Sequence, residues 1–233
     1  LSEGDIIIDG GNANFRDTMR RIDDLDGTGI TFIGMGVSGG AVGARHGPSI
    51  MVGGPKDTYS RIEPILTAIA ARYETEPCNA WLGEGGAGHF VKTVHNGIEY
   101  ADMQMIAEIY GVLRDGFAMP AAEIGKLFAR WNKGRLNSYL IEITAEVLAT
   151  ADPDSGQPLV DLILDRAGQK GTGRWAAIEA QMMGVPATAI ESAVAARSIS
   201  AEKGMRGRAA AVYGDTIKAS STPPMDAFID DLE

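Results

Sequence analysis

The chain has 233 residues, 45% of them hydrophobic and 22% charged, a balance that suits a soluble globular protein with room for one large domain or two smaller ones. Its formal net charge of −10 argues against nucleic acid as the main partner, while leaving open a local basic pocket for a phosphorylated small molecule. A single cysteine, Cys78, excludes an internal disulfide, and no apolar run is long enough to span a membrane, so a cytoplasmic location is the expectation.

In chain order, DIIID (Asp5–Asp9), closed by Gly10 and Gly11, reads as a short buried parallel strand. Residues 13–25 suit a helix, ITFIGMG (30–36) a second buried strand and SIMVGG (49–54) a third. A helix over 57–72 and one more strand over 75–82 follow. Strands alternating with helices imply the parallel, doubly wound sheet of the α/β class. After residue 85 the strand signals fade, and helices are expected over 86–116, from Pro120, and over 136–150, 159–167, 173–183 and 187–204, with a loop at 151–158. The organisation is an α/β domain over 1–85 and an all-helical one over 86–233. A strand that starts so near Leu1, and a tail (STPPMDAFIDDLE) that reads as a turn and a helix cut short, suggest a fragment.

Three stretches carry candidate chemistry. In GAGHFVKTVHNGIEY (86–100), Lys92, His95, Asn96 and Glu99 fall at i, i+3, i+4 and i+7 of one helix face. Val91, Val94, Ile98 and Met105 occupy the other side, which leaves the polar face toward water or a cleft. His and Asn are poor choices for a merely solvated helix surface, and Gly97 weakens the middle by about 1 kcal/mol relative to alanine. In GMGVSGGAVGARHGPSIMVGG (34–54), GMGVSG matches G-x-G-x-x-G superficially, but no clear helix follows and no acidic residue stands in a strand some twenty positions on. It is rejected as a dinucleotide fingerprint, and a loop wrapping a small carboxylate or hydroxyl ligand, with Ser38 donating, competes with a flexible turn. In DRAGQKGTGRWAAIEA (165–180), Lys170 and Thr172 precede a helix start, an arrangement that suits a phosphate or, equally, an exposed connecting loop. Arg197, in a helix of small residues, is either a snorkelling surface residue or an anion ligand. His46 and His89 have no partner at metal-ligand spacing, so no metal is assigned, and the three tryptophans read as core or interface.

Together, IIIDGGNANFRDTMRR, GVSGGAVGARHGPSIMVGG, GAGHFVKTVHNGIEYADMQ, WNKGRLNSYLIEIT and ILDRAGQKGTGRW resemble, in order, the motifs of the 6-phosphogluconate dehydrogenase family, over residues 4 to 213. The resemblance implies a partial Rossmann-type dinucleotide domain, a partial helical substrate and dimerisation domain, and NADP-dependent oxidative decarboxylation of 6-phospho-D-gluconate to ribulose 5-phosphate in the pentose phosphate pathway. It further implies that Lys92 is the base at the C3 hydroxyl, neutral at the outset, and that Glu99 is the acid that protonates the enediol. His95 and Asn96 would hold the sugar hydroxyls; Ser38, Gly39 and Gly40 its carboxylate end; Tyr100, Lys170, Thr172 and Arg197 its phosphate. Asn12 would stand where substrate and nicotinamide meet. A homodimer of the full-length protein is implied, with neither nucleic acid nor membrane as partner.

The family's N-terminal glycine fingerprint and the later half of its helical domain have no counterpart here, and Ala41 stands where relatives often carry a glutamate. The chain alone is therefore expected to be inactive. Two competing readings remain: another β-hydroxyacid dehydrogenase, which would lack the phosphate preference tied to Lys170 and Arg197, and a non-catalytic dimerisation module, which would tolerate loss of Lys92.

Overall fold

The computed structural model describes residues 1–214, 228, 229 and 232, so most of the tail helix expected from the sequence lies outside the described residues. Contacts divide the chain into two compact units, Leu1–Ile98 with Lys170–Ala187, and Glu99–Gln169 with Thr188–Glu233.

The first unit runs β1 (Ile6–Asp9), α1 (Phe15–Asp24), β2 (Thr31–Ser38), α2 (Gly40–His46), β3 (Ser49–Gly53), α3 (Lys56–Ile69), a small hairpin of β4 (Arg72–Tyr73) and β5 (Glu76–Pro77), and β6 (Asn79–Gly83). The main sheet has the order β1-β2-β3-β6. Tyr59, Ile62 and Leu66 repeat at helical spacing along α3 and pack on Ile33, Ile50 and Val52, which the strands direct to that face. Each such fully buried side chain contributes roughly 1.5–3 kcal/mol. The side chain of Asn14 accepts the Arg16 N–H and caps α1, which fixes where the helix leaves the β1 turn.

The sheet is the α/β type expected, with one departure. β1 and β2 pair in parallel, as do β3 and β6, but β2 and β3 run antiparallel. The reason is length: residues 39–48 are too few to cross the sheet and return, which takes a dozen or more, whereas α1 and α3 lie in connections long enough to do so. That short connection holds α2, a helix missed in the sequence because its glycines carry little helical preference.

Further on, α4 (Ala87–Gly111) ends in a π-helical turn at Val112–Gly116. It is followed by α5 (Ala121–Trp131), α6 (Tyr139–Ala149), α7 (Leu159–Leu162), α8 (Thr172–Met183), α9 (Thr188–Ala201) and α10 (Lys203–Tyr213). In the second unit, Ile124, Leu127, Phe128 and Trp131 of α5 form the core with Leu113, Ala145 and Leu148. Gly125 lets the two helices close in, since a β carbon there would meet the Ala145 carbonyl and Ala149 N at 3.2 Å. The helix expected over 159–167 stops at Leu162, because groups of 165–169 bond to α9 and α10 instead of to their own preceding turn. α10 was not anticipated as a separate element.

Candidate active site

The site is built on an interlock between β2 and α4. Alternate residues of a strand face one side, and residues three or four apart share a helix face. Here Gly34, Gly36 and Ser38 of β2 meet His89, Lys92 and His95 of α4 in succession. A β carbon at Gly36 would fall under 3.0 Å from Lys92 Cβ and the Gly88 carbonyl, and one at Gly88 would strike the Gly34 and Met51 carbonyls. The G-x-G of the second motif is thus the groove in which α4 lies, which gives it a purpose other than binding phosphates.

This seating reverses the burial expected along α4. Lys92 is 6% exposed, whereas Ile98 and Met105 are each 52% exposed. The hydrophobic pattern misleads because glycines admit the polar face to the sheet. Lys92 Nζ lies 3.5 Å from His95 Nδ1, which is 3.2 Å from Asn96 Oδ1, and His95 Nε2 is 3.2 Å from Ser38 Oγ. Ser38, Lys92, His95 and Asn96 are therefore brought together, beside the turn at Gly39 and Gly40, whose positive φ values of 136° and 57° suit glycine.

His89 is the residue that sequence reasoning missed. At 1% exposure it lies 2.7 Å from Thr18 Oγ1 through Nδ1 and 3.1 Å from the Asp9 carbonyl through Nε2. The carbonyl can only accept, so Nε2 carries the proton and Nδ1 accepts from the Thr18 hydroxyl. Burial holds the ring below its ordinary pKa, with the Asp9 carboxylate opposing that shift and Arg21 adding to it. One imidazole thereby joins α1, the end of β1 and α4, one turn ahead of Lys92. The available signal was a histidine at i−3 from Lys92, dismissed for want of a metal partner.

Of the remaining candidates, the first unit holds Asn12, Lys170 and Thr172. Asn12 stands exposed in the loop between β1 and α1. Thr172 is buried at the start of α8 and Lys170 exposed just ahead of it, with Gly171 at φ 112° between them. Within the first unit, α8 is tied to α1 by Arg16, whose Nε and Nη2 donate to both oxygens of the buried Glu179 at 3.0 and 2.7 Å. In the second unit Glu99 borders a cavity of about 560 Å³, with Asp102, Arg135 and Tyr139 among its other lining residues. Tyr100 and Arg197 come together, the guanidinium 4.0 Å from the ring centroid and donating at 2.7 Å to the Gly168 carbonyl. Arg197 is thus held as a platform by an aromatic face and a carbonyl.

Glycine turns at the ends of the parallel strands β1 and β2, with a helical portion following in the chain, define a protein of the dinucleotide-domain class. The family model for the NAD binding domain of 6-phosphogluconate dehydrogenase matches residues 1–83, and that for the 6-phosphogluconate dehydrogenase C-terminal domain matches 88–233. The chain belongs to the 6-phosphogluconate dehydrogenase family.

Two Bacillus subtilis relatives illustrate the range within it. The NAD(+)-dependent, decarboxylating 6-phosphogluconate dehydrogenase is 54% identical over 87% of this chain and 43% of its own length. The NADP(+)-dependent, decarboxylating one is 53% identical over 90% of this chain and 45% of its own. Overall identity therefore does not separate the two cofactors. The Plasmodium falciparum 6-phosphogluconate dehydrogenase, solved in its apo form and in complexes with NADP+ and with 6-phosphogluconate, superposes with a TM-score of 0.93 at 42% identity, covering 100% of this chain and 50% of that one. The chain spans about half the length of these relatives.

Proposed function

We propose that this chain supplies substrate-binding and proton-transfer residues for NADP-dependent oxidative decarboxylation of 6-phospho-D-gluconate to ribulose 5-phosphate and CO2. The observation that carries the reading is the burial of Lys92 against Gly36, with His95 and Ser38 aligned beside it. A general base must be neutral when it accepts its proton, and this placement puts the amine within reach of a ligand held by Ser38 and His95.

The exposed turn of Gly10, Gly11 and Asn12 carries no bulky side chain, so a flat ring can approach it, which fits the nicotinamide end of the cofactor. NADP+, when bound, supplies the acceptor for the hydride from C3. Lys92 takes the C3 hydroxyl proton as that hydride departs, leaving a 3-keto acid. The C1–C2 bond then breaks, CO2 leaves, and the electron pair moves toward the C3 oxygen, where the Lys92 ammonium stabilises and protonates the enolate. Glu99, two turns along the same helix, delivers the proton to the carbon that lost CO2. His95 and Asn96 orient the hydroxyls, and Ser38, Gly39 and Gly40 receive the carboxylate end. Tyr100, Lys170, Thr172 and Arg197 hold the phosphate. Dimerisation of the full-length protein and a cytoplasmic location belong to the same proposal, and among the described residues no helix is long and apolar enough to cross a membrane.

Titration calorimetry with 6-phosphogluconate, gluconate and a Lys170→Ala variant tests the substrate. Tight saturable binding of the phosphorylated sugar is expected, with gluconate, and the Lys170→Ala variant, binding measurably but far more weakly. Equal binding of gluconate would instead favour another β-hydroxyacid dehydrogenase.

A further inference from the structure

The stretch 163–169 has no regular secondary structure, yet Asp165, Ala167, Gly168 and Gln169 are each fastened by side chains from later in the chain. Arg206 Nη2 donates to the Asp165 carbonyl at 2.7 Å and to the Ser200 carbonyl at 3.1 Å, while Nη1 donates to Asp165 Oδ2 at 2.8 Å. Ser200 Oγ accepts the Ala167 N–H at 2.8 Å, Arg197 donates to the Gly168 carbonyl, and Gln169 Nε2 donates to Ser198 Oγ at 3.2 Å. Lys170 and Thr172 follow within three residues of Gln169.

We propose that Arg206 is a positioning residue for the segment Asp165–Gln169, and through it for the affinity of the chain toward a phosphorylated ligand. The proposal rests on the phosphate-binding reading given above. The fork of one guanidinium spans the last turn of α9, whose Ser200 carbonyl is one of the orphan acceptors of a helix end, and the backbone of the loop. The Asp165 side chain is 70% exposed and that of Arg206 30%, so the two backbone carbonyls, rather than the solvated ion pair, carry the fastening. The same loop supplies the carbonyl that steadies Arg197. Without the fork, a ligand would have to order the segment as it binds, and affinity would fall accordingly.

Arg206→Gln, Arg206→Lys and Asp165→Asn test this by amide hydrogen exchange and by calorimetric affinity for 6-phosphogluconate and gluconate, with circular dichroism as the check on folding. Arg206→Gln should speed exchange at Ala167 at least tenfold with α5 amides unchanged. It should weaken 6-phosphogluconate about tenfold, as expected when binding must order a residue or so now held beforehand, and leave gluconate untouched. Arg206→Lys, whose single ammonium cannot serve all three acceptors, should fall between and carries the test if the glutamine variant unfolds. Asp165→Asn should stay near wild type. Unchanged exchange at Ala167, or equal losses for both ligands, would overturn the proposal. Wild-type chain that fails to prefer the phosphorylated sugar would overturn the phosphate reading and this proposal with it. A preference that survives intact in Arg206→Gln would overturn the proposal alone.

Discussion

The α carbon of Gly36 lies against the side chain of Lys92, in the space that a β carbon at position 36 would occupy. Gly36→Ala must push α4 off the strand or distort both. Overpacking of this kind costs about 1–3 kcal/mol. The melting temperature should drop accordingly, and binding of 6-phosphogluconate should weaken along with it because Lys92 and His95 shift relative to Ser38. A variant that melts with the wild type would show that the helix is not seated as described.

His89 makes stability depend on pH in a definite direction. Its pKa in the fold is lowered from 6.5, so below that value the unfolded chain binds the proton first. The stabilisation is complete above the unfolded value and is lost as pH falls from there toward the lower folded value, with a slope of at most about 1.4 kcal/mol per pH unit. His89→Gln, which keeps a donor for the Asp9 carbonyl, should be less stable at neutral pH but show a flatter decline on acidification. Chemical denaturation at a series of pH values would reveal it, and parallel curves for both proteins would refute the assignment.

Arg16 and Glu179 should respond asymmetrically to mutation. The Arg16 side chain is 55% exposed and that of Glu179 only 10%. Removing the arginine strands a buried carboxylate, whereas Glu179→Gln leaves a solvated cation and a neutral amide that can still accept. Arg16→Ala should therefore lower the melting temperature more than Glu179→Gln does. Equal losses would mean that the pair does not fasten α8 to α1.

In the second unit, Phe128 is 1% exposed and meets Trp131 edge to face at 5.1 Å between centroids. Phe128→Ala should cost about 3–5 kcal/mol, seen as a lower midpoint in urea. A shift of only a few tenths would place the core elsewhere.

β1, β2, β3 and β6, with α1, α3, α5, α6 and the start of α8, were legible because their apolar spacing, caps and prolines agree with one another, whereas the β4–β5 hairpin is too short to show a period. α2 was hidden by glycines, and α10 by the absence of an apolar stripe of its own. Along α4 the period was right and the face was wrong. A pattern of polar and apolar residues says which side differs, but only Gly34 and Gly36, nearly sixty positions earlier, determine that the polar side is the one admitted to the sheet. The roles of Thr18 and Arg206 are likewise set by partners 71 and 41 residues away, which no local spacing encodes.

In the proposed function Lys92 transfers the proton rather than merely filling the groove. A chimera in which this chain replaces the matching half of the NADP(+)-dependent Bacillus subtilis relative, with and without Lys92→Met, tests it through NADPH formation from 6-phosphogluconate. Methionine keeps the length and fills the same space. The prediction is a fall in kcat of about 10²–10⁴-fold, the usual contribution of a general base, with KM changed only a few-fold. A methionine variant that keeps kcat within a few-fold of its parent would contradict the claim.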